Sequence, residues 1–305
     1  MKKIWLVIIA GIAVIIVIPL FLTLIILQTI LTVRFNDTGT PDSIGLRYDD
    51  LVTETSDGVK VHGWFIPGQI NSTIIFAHGV SRDKAFMMNQ YKDLIIDLHK
   101  SGYNVILFDF RTHGDTIGGQ RTFGIEESRD VSAVIDYLVS KGKAERVGAV
   151  GCSLGAGTLL IAAGQDQRLN AVIADSPYWS AKDALSTFIS YVVSKGTGVK
   201  LPEVTILYLI VLYDLARHVN PEWGFDLNMA APYQYIKEIS PRAVFLIQGK
   251  NDEVVPSNSA ERLFQAALEP KELWSDINVG HCEASIEKGQ EFREKTNSFF
   301  AKYLG

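Results

Sequence analysis

The sequence predicts an α/β domain: a mostly parallel, doubly wound sheet with helices on both faces and an inserted helical cap, preceded by one transmembrane helix. Three observations predict it. Short, nearly continuous apolar runs recur along the chain, amphipathic stretches alternate with them, and residues 4–33 form an apolar run without a charge. Apolar runs of this kind are how strands buried on both faces of a parallel sheet read. Their alternation with helical patterns implies right-handed βαβ crossovers.

The elements follow in order. From Ile4 to Leu27 only Thr23 is polar, and no charge occurs between Ile4 and Val33. Such a helix is long enough to span a hydrocarbon core of about 30 Å. It is also about twice the apolar length of a signal peptide and lacks a small-residue cleavage site. Lys2 and Lys3 precede it, while Arg34 and Asp37 follow. That balance predicts a single-pass membrane protein with a cytoplasmic N-terminus and the remaining domain outside. Residues 34–50 read as a polar linker, and 51–305 as the domain.

Within that domain, Asp57-Gly58 between two β-rich runs predicts a hairpin. The buried strands are expected in TIIFAHG (73–79), NVILFDF (104–110), RVGAVGC (146–152), NAVIADS (170–176) and AVFLIQG (243–249). Helical stretches end at Gly102 and Gly142, good stop residues, and an amphipathic helix closes the chain. Residues 177–240 exceed what one crossover needs. Their apolar run Val204–Leu212 is too short for a bilayer, so they are expected to form the cap.

The composition excludes other classes. A net charge of −5 offers no broad basic surface for nucleic-acid phosphates. There is no P-loop and no dinucleotide fingerprint. Two cysteines, Cys152 and Cys282, are too few for a disulfide framework. They are expected as buried thiols under the site, with a bond between them as the alternative.

The chemistry lies at the strand ends. Gly151-Cys152-Ser153-Leu154-Gly155 is a G-x-S-x-G element with a strand before it and a small-residue helix after it. A sharp strand-to-helix turn there lifts the serine hydroxyl above the sheet, beside a helix N-terminus that favours negative charge. Ser153 is therefore the expected nucleophile. A serine needs a base, and the base an orienting acid. Only His218 and His281 follow Ser153. His218 lies inside the cap, and His281 follows a strand-like run, so His281 is the expected base.

Asp252, on the turn leaving AVFLIQG, is the expected acid, with Asp175 at the end of the preceding strand as the alternative. An oxyanion needs two main-chain N–H donors, expected from Leu154 and, in AHGVSRD, from Val80. His78 is expected to buttress that loop. In FDFRTHGDT, Asp109, Arg111, Gly114 and Asp115 are expected to form a buttressing network, because no further ligand-spaced cluster accompanies them.

Taken together and in this order, AHGVSRD, FDFRTHGDT, GCSLGAG, QGKNDEVVP and VGHCEA resemble the α/β-hydrolase superfamily over roughly residues 50–304. Within it they are similar to the serine-aminopeptidase and monoacylglycerol-lipase-like branch, including membrane-anchored bacterial members. The resemblance implies an eight-stranded sheet, no metal, no cofactor, and a triad of Ser153, Asp252 and His281.

The expected function is that of a membrane-anchored serine hydrolase. It would cleave a carboxylic ester, thioester or amide of a small or lipid-like acyl substrate through an acyl-enzyme. A peptidase is the alternative, and would want an acidic cap residue such as Glu203, Asp214 or Glu222 for a peptide amine. A non-catalytic tethered binding module is the third reading, which an intact Ser–Asp–His set disfavours.

Overall fold

The computed structural model describes residues 36–305 apart from 199, 201 and 220–224, with isolated positions before residue 36. The run 4–33, expected as a transmembrane helix, thus lies outside the described residues except at those positions. Among the described residues no helix is long and apolar enough to cross a membrane.

Eight strands form one sheet in the order β1-β2-β4-β3-β5-β6-β7-β8. The hairpin β1 (Asp49–Glu54) and β2 (Lys60–Ile66) turns at Gly58, whose φ of 84° suits a residue without Cβ. Strand β2 runs antiparallel to β4 (Asn104–Phe108). From β4 onward all pairings are parallel, through β3 (Thr73–Ala77), β5 (Val147–Cys152), β6 (Leu169–Asp175), β7 (Ala243–Gly249) and β8 (Lys271–Ile277).

Successive side chains of a strand face opposite sides, and β3 shows the consequence. Ile74 and Phe76 pack with α1 (Lys84–Gln90), α2 (Lys92–Lys100) and the closing helix, here α9 (Gly289–Leu304), through Met87, Leu94, Phe292 and Phe299. Ile75 and Ala77 face α3 (Glu127–Ser140), α4 (Leu154–Gln165) and α7 (Ser259–Ala266), meeting Val134, Leu159 and Leu263. The apolar runs have no polar face because both faces are covered.

Two boundaries differ from expectation. The expected linker is held on the domain: Pro41 is buried, Asp37 donates its N–H to Asp83 at 2.9 Å, and β1 already starts at Asp49. The helical stretch 89–102 is α2, and a further short helix, α1, precedes it across Tyr91, a fully buried residue whose hydroxyl reaches Asp175.

Residues 177–240 contain α5 (Ala181–Thr197) and α6 (Glu203–Val219). Their buried faces make a separate cluster of Leu185, Ile206, Ile210 and Tyr213 over Phe123 and Leu154. The cap therefore sits on the loops at the C-terminal ends of the strands.

Candidate active site

Ser153 stands between β5 and α4 with φ 55° and ψ −113°, a left-handed turn that costs a non-glycine residue of order 1–2 kcal/mol. Three features hold it there. Its N–H donates to the Asp175 carbonyl at 2.9 Å, and its carbonyl accepts from the Gly157 N–H at 3.0 Å. The flanking glycines allow helix and strands to touch. A Cβ on Gly151 would lie 2.6 Å from the Gly155 carbonyl carbon, and one on Gly155 would collide with the Ala77 carbonyl.

His281 follows β8 on a loop and is partly exposed, and its Nδ1 lies 2.8 Å from Asp252 Oδ2. The Asp252 side chain is fully buried. Its Oδ1 accepts the N–H groups of Val254 and Val255 at 2.9 and 3.0 Å, and its Oδ2 also accepts from Gln248 Nε2 at 3.3 Å. Gln248 also donates to the Pro256 carbonyl and accepts from the Ala260 N–H. Its signal in the sequence is a lone amide near the end of an otherwise apolar strand, which the motifs do not mark.

Asp175, the alternative acid, is engaged elsewhere. Tyr91 Oη donates to its Oδ2 and Ser176 Oγ to its Oδ1, both at 3.2 Å. Burial pushes this carboxyl up to about 7. Between the ordinary carboxylate value and 7, the folded protein keeps a proton that the unfolded chain has released, so stability falls as pH rises through that interval. Asp175→Asn, neutral throughout, is expected to remove this loss. In urea unfolding it should exceed the wild type at pH 8 by on the order of 3 kcal/mol and match it near pH 4. Parallel stability curves for the two proteins across pH 4–8 would refute this.

The two cysteines correct an expectation. They are not separate thiols: Cys152, immediately before Ser153, is disulfide-bonded to Cys282, immediately after His281. Their Cα atoms are 6.0 Å apart, inside the range of about 4.4–6.8 Å that a disulfide spans. The strand order brings together residues 130 apart in the chain, a proximity that spacing alone does not reveal.

The loop after β3 carries Val80. Val80, Ser153 and Leu154 line one cleft with Phe123, Tyr178 and Phe188, among other apolar side chains. His78 is fully buried, and desolvation lowers its pKa to about 4. The neutral ring donates Nδ1–H to the Gly79 carbonyl (2.8 Å) and accepts the Phe110 N–H at Nε2 (3.0 Å). It thus ties this loop to the one after β4, as a buttress does. His113 adds a second tie, accepting the Ser81 N–H at Nε2 while Nδ1 meets the Arg111 carbonyl.

The polar loop after β4 forms two networks rather than one. Asp109 accepts from the Lys84 N–H and ammonium and from the Asp115 N–H, with Gly114 packed against its carboxylate. Arg111 instead forks onto Asp130 and Asp57. These carboxylates are thus paired with side-chain cations. Of the acidic cap residues, Glu203 is exposed at the start of α6, Asp214 pairs with Arg217, and Glu222 lies outside the described residues. His218 is exposed and bonded to its own helix through the Asp214 carbonyl.

The family model for the alpha/beta hydrolase fold matches residues 72–202. The uncharacterized protein YfhR of Escherichia coli K12 is 28% identical over 258 residues, covering 81% of this chain and 78% of that protein. The uncharacterized protein YqkD of Bacillus subtilis is 26% identical over 255 residues, covering 82% and 78%. Among solved structures, the Pyrococcus furiosus esterase Pf2001 superposes with a TM-score of 0.71 at 25% identity, over 89% of this chain and 98% of its own. Matched segment, sheet order and structural neighbours together give this chain the α/β-hydrolase fold.

Proposed function

We propose that this protein is a serine hydrolase that cleaves carboxylic esters of apolar acyl groups, anchored to a membrane by residues 4–33. The observation that carries the reading is the buried Asp252 carboxylate 2.8 Å from His281, on a loop bonded covalently beside Ser153. With Nδ1 committed to Asp252, His281 has Nε2 free for proton transfer. Ser153 Oγ attacks the acyl carbon while His281 takes its proton. The oxyanion forms between the Val80 and Leu154 N–H groups, the second of which opens a helix. His281 then protonates the leaving alcohol, and water, deprotonated by the same ring, releases the acid. Asp252 fixes the tautomer and balances the imidazolium.

The acyl preference follows from the cleft. Phe123, Leu154, Tyr178 and Phe188 offer an apolar wall, with little to hold a charged group. The P. furiosus neighbour is an esterase, which agrees with this reading. The test is fluorophosphonate labelling of the full chain in detergent, alongside turnover of p-nitrophenyl esters of increasing chain length. Wild type should label and hydrolyse, and Ser153→Ala should lose both, by at least about 10⁴-fold in turnover. Labelling that persists in Ser153→Ala would assign the chemistry to another group.

A further inference from the structure

We propose that the Cys152–Cys282 disulfide is a positioning element that clamps the nucleophile to the base, so that the rate of hydrolysis follows its redox state. The inference rests on the reading of Ser153 and His281 given above. Each cysteine is the direct chain neighbour of one of them, and both are buried, at 4% and 6% exposure. The bond therefore joins the two reacting groups through one residue on each side. A structural staple elsewhere in the domain would not do this.

The surroundings show what the clamp works against. Ser153, Ser176 and Cys282 have φ of 55°, 52° and 57°, three left-handed non-glycine residues, two at the ends of the neighbouring strands β5 and β6 and one on the loop after β8. Hydrogen bonds link them in series. Ser153 N–H donates to the Asp175 carbonyl, Ser176 N–H to the Ile247 carbonyl, and Cys282 N–H to Ser176 Oγ at 2.9 Å. On the outer side, Gln90 Nε2 donates to the Cys282 carbonyl at 2.6 Å. The backbone of the base loop is thus held in an uncommon conformation by a few polar contacts and one covalent bond.

Reduction changes the geometry in a defined way. A dithiol reductant gives two electrons and two protons. The S–S bond breaks, each sulfur leaves as a thiol, and the dithiol closes to its own disulfide. Bonded sulfurs sit about 2 Å apart, whereas unbonded ones cannot approach closer than roughly 3.5 Å. The sulfurs must separate by on the order of 1.5 Å, and because both side chains are buried in packed surroundings, part of that separation passes into the two short backbone segments. A misplacement of about 1 Å between reacting groups can cost on the order of 10²-fold in rate. Binding in the apolar cleft involves neither cysteine, so KM should barely respond.

The full chain in detergent is assayed on a short-chain ester, oxidised and after dithiothreitol. Mass shift on alkylation counts free thiols, and fluorophosphonate titration counts active sites. Reduction is expected to expose two thiols and lower kcat per active site 10- to 100-fold, with KM within threefold, reversibly on reoxidation. Cys152→Ala/Cys282→Ala should show the reduced kcat and no response to reductant. The double variant reads the same quantity where reductant fails to reach the bond. A staple that only stabilises the fold would lower the urea midpoint and leave kcat per active site unchanged, and that result overturns the proposal. So would two alkylatable thiols in protein isolated without reductant. Absence of turnover in either redox state would instead overturn the hydrolase reading, and this inference with it.

Discussion

Asp252→Asn is expected to lower kcat on a short-chain ester about 10⁴-fold, while Asp175→Asn costs less than about tenfold. The difference follows from what each carboxylate holds. Asp252 Oδ1 accepts two main-chain N–H groups, from Val254 and Val255, and these select an oxygen at that position. An asparagine there keeps its carbonyl on those donors and turns its NH₂ toward His281. The ring must then accept at Nδ1 and carry its proton on Nε2, where the serine proton has to go. The same exchange in a serine protease, with geometry intact and the tautomer wrong, costs about 10⁴ in kcat. Asp175 makes its side-chain hydrogen bonds to Tyr91 and Ser176, which a neutral amide can satisfy. Steady-state kcat, paired with the rate of fluorophosphonate labelling, checks both variants. Wild-type rates in Asp252→Asn together with a collapse in Asp175→Asn would move the acid to the end of β6.

How far the site was legible in the sequence depends on which interaction decides each residue. The elbow was fully legible, because G-x-S-x-G records a steric demand: Gly151 and Gly155 sit where helix and strands touch backbone to backbone. The central strands were legible because burial on both faces removes polar positions, and β3 to β7 lie within the apolar runs to within about two residues at each end. Asp252 and Asp175 could not be separated by spacing, since both end strands on the same edge. What separates them is the turn after β7, which spends Asp252 Oδ1 on two N–H groups and points Oδ2 at the histidine. The bond between Cys152 and Cys282 was legible only as an alternative, for a related reason. Each cysteine announces only its own loop, and their meeting depends on the strand order β5-β6-β7-β8. The short helix α1 was hidden because its apolar pattern, Met87 and Met88, runs on into that of α2 through Tyr91.

Arg111→Ala is expected to destabilise the domain by about 3–5 kcal/mol, with a thermal midpoint lower by roughly 10 °C. Arg111 is 1% exposed and Asp130 fully buried, so neither charge has water to fall back on. The guanidinium donates through Nε and Nη2 to Asp130 at 2.8–3.2 Å and reaches Asp57 at 2.9 and 3.1 Å. That hydrogen bonding holds the Asp57 carboxyl well below the usual carboxylate range. Removing the arginine leaves Asp130 ionised without a counter-charge, or protonated at a cost, while Asp57, 29% exposed, recovers hydration. The penalty therefore belongs mainly to Asp130. Arg111→Met combined with Asp130→Leu should recover most of the lost stability, because exchanging both members of a buried pair for apolar groups is often neutral. Urea unfolding of the two variants separates the cases, and equal losses in both would place the cost in packing instead of charge. The effect also reaches the chemistry. The Arg111 carbonyl holds His113 Nδ1, whose Nε2 holds the Ser81 N–H next to Val80. If Arg111 supports the oxyanion loop, Arg111→Ala should lower kcat under conditions where the variant is still folded. The paired variant restores charge balance without the guanidinium fork, so the share of kcat it recovers measures how much of that support is electrostatic.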